Sequence, residues 1–351
     1  MSRSRRRWAA RVLVAAALPA LLPAAAAELD RLRFIALSVS VVKVEAIKTG
    51  GGFSIGTAVS VAPGRFVTNC HVTRDAETVM LVRSGARWPA RGERADLHLD
   101  LCLLDVPGLA DVPPLPLASA RGLRVAQPVA AAGYTGGAGL QMYAGVVNGL
   151  HELNGSKVIQ TTTAFTSGAS GGALFDADGR LVGILTYRLR GAEGYYFAAP
   201  TDWIADRVAD PAGYVAVGPL EGPPPFWSQP VAALPFFMQA ASLEIDGRWH
   251  DLLALTDRWI VDDRRDAECW FMRGNSFASL DRLPRAVESF RLAVDLDPHY
   301  TRAWANLGRA YLRMGAYDDA RKVAHVLEDL DAGLAHELAD QLAAGAAPPT
   351  R

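Results

Sequence analysis

Hydrophobic and polar residues follow two different rhythms along this chain. Between about Phe34 and Ala199 the apolar positions come in short runs, among them Ser38 to Val44, Thr57 to Val61 and Leu181 to Leu185. Turn formers separate such runs at Pro63-Gly64, Gly136-Gly137 and Asp178-Gly179. Short β-prone runs closed by turns predict an all-β sandwich or barrel. From Pro211 to Pro230 six prolines fall within twenty residues, with Gly213, Gly218 and Gly222 among them, so 211–232 reads as a linker. Beyond it the pattern is helical and almost free of strand signal. The predicted organisation is multidomain: an all-β unit over 28–210, the linker, an all-α unit over 233–344 and a tail over 345–351.

The helical part repeats itself. Counting Ala267 as the first position of a 34-residue unit puts Trp270, Gly274, Phe277, Ala286, Phe290, Ala293 and Pro298 at positions four, eight, eleven, twenty, twenty-four, twenty-seven and thirty-two. The unit from Thr301 places Trp304, Gly308, Tyr311 and Ala320 correspondingly and adds Leu307. These residues resemble the tetratricopeptide (TPR) pattern, in which small residues let paired helices approach and aromatics fill the gaps between pairs. The clearest units are 267–300 and 301–334. A degenerate unit spans Ala233 to Asp266, with Gly247 in the inter-helix turn where Asp281 and Gly315 sit later. Ala335 to Ala344 reads as a capping helix, since stacked repeats need a polar end.

The N-terminus reads as an address. Arg3, Arg5, Arg6, Arg7 and Arg11 precede an apolar run from Val12 to Ala27 that ends in small residues, the layout of a secretory signal peptide over 1–27. Pro19, Pro23 and the alanine-rich end make it a poor spanning helix, and no other stretch has the length for one. The mature protein is expected to be periplasmic or secreted, with no stable membrane span. Charge follows from this. The 36 basic and 37 acidic residues nearly cancel, but removing 1–27 takes five arginines and no acid, leaving 31 against 37. A mildly acidic chain without a basic tract is not expected to bind nucleic acid.

Candidate chemistry lies in the β part. Gly168-Ala169-Ser170-Gly171-Gly172 sets a serine among glycines, where backbone N–H groups can approach a developing oxyanion without Cβ obstruction. A serine hydroxyl needs a neighbouring base. His71 closes the apolar strand Phe66 to Cys70, and a histidine base needs a carboxylate to fix its tautomer. Asp96, Asp100 and Asp105 all lie near Leu101-Cys102-Leu103-Leu104; Asp100, directly before that buried run, is the best placed. Neither Cys-x-x-Cys nor Cys/His metal spacing occurs, so no metal and no cofactor is expected. Gly133 to Gly139 lacks the Lys-Ser/Thr ending of a phosphate loop and reads as a turn.

Taken together, Val67-Thr68-Asn69-Cys70-His71-Val72, Asp100-Leu101-Cys102-Leu103-Leu104 and Ser167 to Leu174 resemble the histidine, aspartate and serine segments of the trypsin-like serine proteases, most closely the Deg/HtrA-type bacterial branch. Gly56-Thr57-Ala58-Val59, Asp178 to Ile184 and Tyr196 to Pro200 extend the resemblance over about 170 residues. It implies two packed six-stranded β-barrels, trypsin-like, followed here by an all-α TPR solenoid. It implies Ser170 as nucleophile, His71 as general base and acid, Asp100 as its orienting partner, and the N–H groups of Gly168 and Ser170 as the oxyanion hole. Thr186, Tyr187 and Arg188 would pair with an extended substrate strand. The same geometry brings Cys70 and Cys102 near one another, either as a disulfide in an oxidising compartment or as two buried thiols. Departures from the family also count. Ala169 stands where digestive members carry an aspartate, uncharged Ala164 lies six residues before the serine, and helical repeats stand where the Deg/HtrA branch carries a PDZ module. The expected function is an exported serine endopeptidase acting on protein or peptide substrates, with the repeats recruiting a protein partner or substrate. The alternative is a catalytically silent scaffold acting through the repeats.

Overall fold

The computed structural model describes residues 33–345 apart from 34, 138, 190–194, 209 and 211. The signal-peptide reading of 1–27 and the tail beyond Gly345 lie outside the described residues.

Strand β1 (Val41–Lys48) begins three residues later than the apolar run suggests. The Ser40 N–H is used in a turn to Leu37 O (3.2 Å) and its hydroxyl donates to Pro113 O (2.7 Å), so the ladder starts only at Val41. β1 pairs antiparallel with β2 (Phe53–Ala62) and with β4 (Ala76–Arg83). β3 (Arg65–Thr68) leads into a one-turn helix, α1 (Cys70–Thr73), and β5 (Ala86–Pro89), β6 (Gly92–Asp96) and β7 (Leu101–Asp105) complete the first half. Together with β14 (Val215–Ala216), which joins from the segment after the second half, its strands are hydrogen-bonded in the order β14-β6-β7-β3-β2-β1-β4-β5. The chain turns the corner in a single step: Ala90 N–H bonds to Val79 O on one edge (2.9 Å) and Arg91 N–H to Asp105 O on the other (2.8 Å). Pro89 just before it has no N–H to continue the β5 ladder.

The second half is a closed six-stranded barrel, β10-β13-β12-β11-β8-β9. Its strands are β8 (Pro128–Gly133), β9 (Gln141–Leu153), β10 (Ser156–Thr161), β11 (Ala173–Asp176), β12 (Leu181–Arg188) and β13 (Tyr196–Pro200). The β9–β10 hairpin turns at Asn154 (φ 48°) and Gly155 (φ 73°), the left-handed pair that matches strand twist in a tight hairpin.

After a short helix α2 (Ala205–Val208), the proline-rich segment does not run free through solvent. Its β14 (Val215–Ala216) adds to β6, Leu220 N–H donates to Arg74 O (2.8 Å) and Phe226 N–H to His98 O (2.9 Å). Phe226 is buried edge-on against Trp203 and Tyr187, each 5.8 Å away. Pro223, Pro224 and Pro225 offer no N–H, so the backbone donors of the attachment come from Leu220 and Phe226 on either side, while Pro223 takes part through its carbonyl, which accepts from Arg74 (3.1 Å).

Helices then pair in sequence: α3 (Phe236–Ile245) with α4 (Trp249–Asp262), α5 (Ala267–Ser279) with α6 (Leu283–Leu296), α7 (Thr301–Arg313) with α8 (Tyr317–Leu330), and α9 (Ala332–Gly345) at the end. Gly247 (φ 65°), Asp281 (φ 57°) and Gly315 (φ 75°) hold the same left-handed turn in the three pairs. A Cβ at Gly274 would stand 2.4 Å from the Phe290 ring, so helix α5 can approach α6 only with glycine there. The array docks on the second barrel. His151 of β9 stacks on Phe237 of α3 (4.2 Å, interplanar 6°), the Tyr195 hydroxyl donates to Glu244, and half-buried Arg302 of α7 donates to Asn148 O (3.1 Å). Burial pushes His151 down to about 4, which keeps the stacked imidazole neutral near pH 7.

Phe237→Ala removes the ring from this interface and is expected to cost about 3 kcal/mol in denaturant unfolding and to raise hydrogen exchange in α3. A loss below ~1 kcal/mol, with exchange unchanged, would show that the stack does not hold the array to the barrel.

Candidate active site

The site assembles where β3, β7 and the turn before β11 meet. Asp100 sits directly before β7 with φ 60°, a left-handed conformation that aspartate tolerates better than most residues, and it is 1% exposed. That kink turns its carboxyl group toward α1. One oxygen accepts the His71 backbone N–H (2.8 Å) and the other faces His71 Nδ1 (2.6 Å). Its carbonyl accepts from Asn69 Nδ2 (2.9 Å) and from the Cys70 N–H (3.3 Å). Cys70 and Cys102 are joined as a disulfide with Cα atoms 5.0 Å apart, tying α1 to β7 immediately beside the His71–Asp100 pair. Of the three acids near this strand, Asp96 pairs instead with Arg207 (2.8 Å) and Asp105 with Arg65 (2.7 Å).

Ser170 lies in a half-buried turn on the other side. Its carbonyl accepts from the Thr57 N–H (2.8 Å), while the Thr57 hydroxyl donates to Gly168 O (2.8 Å) and accepts from the Tyr134 N–H (2.9 Å). Thr57 O in turn accepts from the Thr68 hydroxyl (2.7 Å). Buried Thr57 thus clamps the serine turn to the strand that leads to His71. Gly56 explains how close the two come: a Cβ there would lie 2.6 Å from Val72 Cγ1, next to His71, and 3.2 Å from Ser170 O. Gly168 has φ 95°, and a Cβ on it would stand 2.4 Å from Tyr134 O. The N–H of Ala169 is taken by Thr166 O (3.1 Å) and that of Gly171 by Leu185 O (2.8 Å). The N–H groups of Gly168 and Ser170 have no acceptor among the described residues.

Thr186 is buried, donating to Ile184 O (2.7 Å) and accepting from Asn69 Nδ2 (3.2 Å); Tyr187 is buried, and Arg188 is exposed. On one edge β12 pairs with β13 through Arg188, but on the other its bonds to the serine turn end at Leu185. Ala164 is exposed and Ala169 is buried. Among the described residues no three metal-ligating side chains converge.

Two contributors escape a reading of motifs. Thr57 lies in a quoted motif but carries no chemistry of its own. Trp227, from the segment read as a linker, donates its indole N–H to Asp100 Oδ2 (3.1 Å) and stands edge-on to the His71 ring (5.4 Å, 84°). The signal that could have found it is an aromatic doublet, Phe226-Trp227, amid prolines and glycines, where a free tether has no use for large apolar side chains.

Residues 56–184 match the trypsin-like peptidase domain. The β half of this chain is a trypsin-like peptidase domain. Two matches to tetratricopeptide repeats, over 250–301 and 278–342, make the helical half a TPR array. The peptidase domain is similar to the periplasmic serine endoprotease DegP of Salmonella typhimurium, 30% identical over 168 residues, which cover 45% of this chain and 35% of that one. It is also similar to the magnetosome formation protease MamE of Paramagnetospirillum magneticum, 31% identical over 183 residues, 48% of this chain and 25% of that one. The chain therefore spans about a third or less of the length of these curated relatives. Among solved structures, the Rv3671c protease from M. tuberculosis in its active form superposes with a TM-score of 0.50 at 22% identity, over 62% of this chain and 98% of that one, a likeness of fold.

Beneath α1, the peptidase domain buries Glu93 of β6. Thr73 donates to its Oε1 (2.5 Å), and Oε2 has no partner among the described residues. Burial pushes this carboxyl up to about 7, against the Thr73 hydroxyl, which favours the ionised form. Because the folded value lies above the ordinary 4.5, the stability gained by keeping Glu93 neutral is complete below pH 4.5 and is lost as pH rises through 7. Glu93→Gln is expected to flatten the stability profile across that window, with a relative gain at alkaline pH of up to roughly 3 kcal/mol. Unfolding curves at several pH values check this, and parallel profiles for the two proteins would contradict it. Replacing both Cys70 and Cys102 by alanine opens a loop of 32 residues and is expected to cost about 3 to 4 kcal/mol of unfolding free energy. An unchanged denaturation midpoint would show that the bridge carries no stability.

Proposed function

We propose that the protein is an exported serine endopeptidase that hydrolyses peptide bonds through Ser170, His71 and Asp100, and that its TPR array recruits a protein partner or substrate. The observation that carries this reading is the pairing of His71 with a buried, fully engaged Asp100 beside a glycine-framed serine turn that leaves two N–H groups unoccupied.

The chemistry follows from the geometry. His71 Nδ1 faces a carboxylate oxygen, so Nδ1 carries the proton and Nε2 is left as the base. Nε2 takes the Ser170 proton as the hydroxyl attacks the scissile carbonyl, then returns it to the leaving amine, giving an acyl-enzyme that water hydrolyses. The N–H groups of Gly168 and Ser170 receive the oxyanion, a role worth roughly 3 to 4 kcal/mol for one donor. An extended substrate adds to the free edge of β12 along Thr186, Tyr187 and Arg188 through backbone hydrogen bonds that read no side chain. With Ala169 in place of an acid, a newly cut N-terminus finds no buried carboxylate to pair with in this turn. Activation therefore does not run through propeptide cleavage. The basic, then apolar N-terminal sequence and the periplasmic naming of relatives such as DegP support export. In this reading 1–27 is the signal, 28–210 the peptidase unit, 211–232 the connecting segment and 233–344 the repeats.

Hydrolysis of an unfolded protein substrate by the purified full chain tests the proposal. Ser170→Ala and His71→Ala are expected to lower kcat/KM by roughly 10⁴-fold or more, and Asp100→Asn by a comparable factor through loss of the correct tautomer. A wild-type chain no faster than Ser170→Ala, with unfolded substrates and a repeat-bound partner present, would overturn the enzyme reading and leave the scaffold.

A further inference from the structure

Trp227 lies in a single 3₁₀ turn (Phe226–Ser228), outside the strands and the α-helices, yet it touches both members of the His71–Asp100 pair. Its indole N–H is the third side-chain or backbone donor on the Asp100 carboxyl, after the two from His71, and it shares Oδ2 with His71 Nδ1. Its ring stands edge-on to the imidazole at 5.4 Å and lies nearly parallel to Tyr187 at 5.5 Å, with Tyr187 itself stacked on Phe197 at 4.7 Å. The indole is therefore fixed by packing on one face and by a hydrogen bond at its edge. The backbone that carries it is pinned on both sides: Arg74 donates to Gly222 O and to Pro223 O, the Phe226 N–H donates to His98 O, and Gln229 Nε2 donates to Pro224 O.

Thr186 reaches toward the pair only through Asn69: its hydroxyl donates to Ile184 O and accepts from the Asn69 amide, and among the described residues no hydroxyl of β12 donates to the Asp100 carboxyl. Trp227 donates to the carboxyl from the segment that follows the second barrel. We propose that Trp227 is a positioning residue for the His71–Asp100 pair, holding the carboxylate in line with Nδ1 and drawing charge from it, so that the segment after the barrels is part of the peptidase site. The proposal rests on the peptidase reading for its kinetic consequences only.

A carboxylate that accepts from two donors at one oxygen shares its charge between them, so removing one donor strengthens its hydrogen bond to the other. The other ionisable groups on the elements packed around the pair are Arg65 on β3, which pairs with Asp105 on β7, Glu93 and Arg94 on β6, Asp96 with its partner Arg207, Arg74 after α1, His98 before Asp100, and Tyr187 and Arg188 on β12. None of them hydrogen-bonds to the Asp100 carboxyl, and Trp227→Phe leaves all of them in place.

In the full chain, Trp227→Phe keeps an aromatic ring against Tyr187 and His71 and removes only the N–H. It is expected to lower kcat about tenfold with KM within about twofold, and to move the acidic limb of the kcat/KM profile to higher pH by roughly 0.3 to 1 unit. Gln229→Ala, which loosens the same segment without touching the carboxyl, is expected to keep the wild-type pH profile. A measurement free of turnover separates this proposal from the enzyme reading: proton NMR of the His71 Nδ1–H in the Ser170→Ala chain. In Ser170→Ala/Trp227→Phe that resonance is expected further downfield, as the hydrogen bond to a carboxylate with one donor fewer strengthens. An unmoved resonance in a folded double variant overturns the proposal whether or not the wild type is active. So does an acidic limb that shifts equally in Gln229→Ala.

Discussion

A carboxyl group at Asp100 that is shut away from water must be met by donors, and the arrangement of the site follows from how they are brought to it. Two come from one residue, His71, whose backbone and ring both face the group because α1 starts its turn there. The third comes from Trp227, 127 residues further along. The left-handed backbone of Asp100, the bond between α1 and β7 through Cys70 and Cys102, and the clamp made by Asn69 on the Asp100 carbonyl all hold the acceptor still. A buried ionisable group so completely engaged contributes little net stability; its value lies in a fixed direction.

The same constraint gives the helical array a route to the chemistry. The Trp227 indole lies nine residues before the first residue of α3, and α3 docks on the second barrel through Phe237 and His151. Chain that leaves the barrels therefore returns across the site before it enters the repeats. Such a path makes the repeats and the His71–Asp100 pair mechanically adjacent, and a partner held by the repeats would act on a segment that already touches the imidazole.

Local regularity is what made parts of this legible in the sequence. The 34-residue period placed Gly247, Asp281 and Gly315 in one turn because each helix pair repeats the same left-handed link. The glycine-rich serine turn and the aspartate before β7 were readable because their neighbours are short and distinctive. The start of β1 was not, since Ser40 spends its N–H on a local turn that hydropathy does not report. The eight-stranded order of the first sheet was hidden for another reason. β14 is two residues long, lies among prolines and pairs with a strand far away in sequence. Trp227 was hidden by the same distance: composition describes what a segment does when left alone, whereas its indole is fixed by a carboxyl group in another part of the fold.

The central claim is that Ser170 is a nucleophile made reactive by a His71 that Asp100 orients. The direct measurement is the site and rate of labelling of the full chain by a phosphonylating serine reagent, followed by intact mass and peptide mapping. One label per chain, on Ser170, formed far more slowly in His71→Ala and Asp100→Asn, is the predicted result. No label, or a label spread over several serines at rates indifferent to His71 and Asp100, would contradict it.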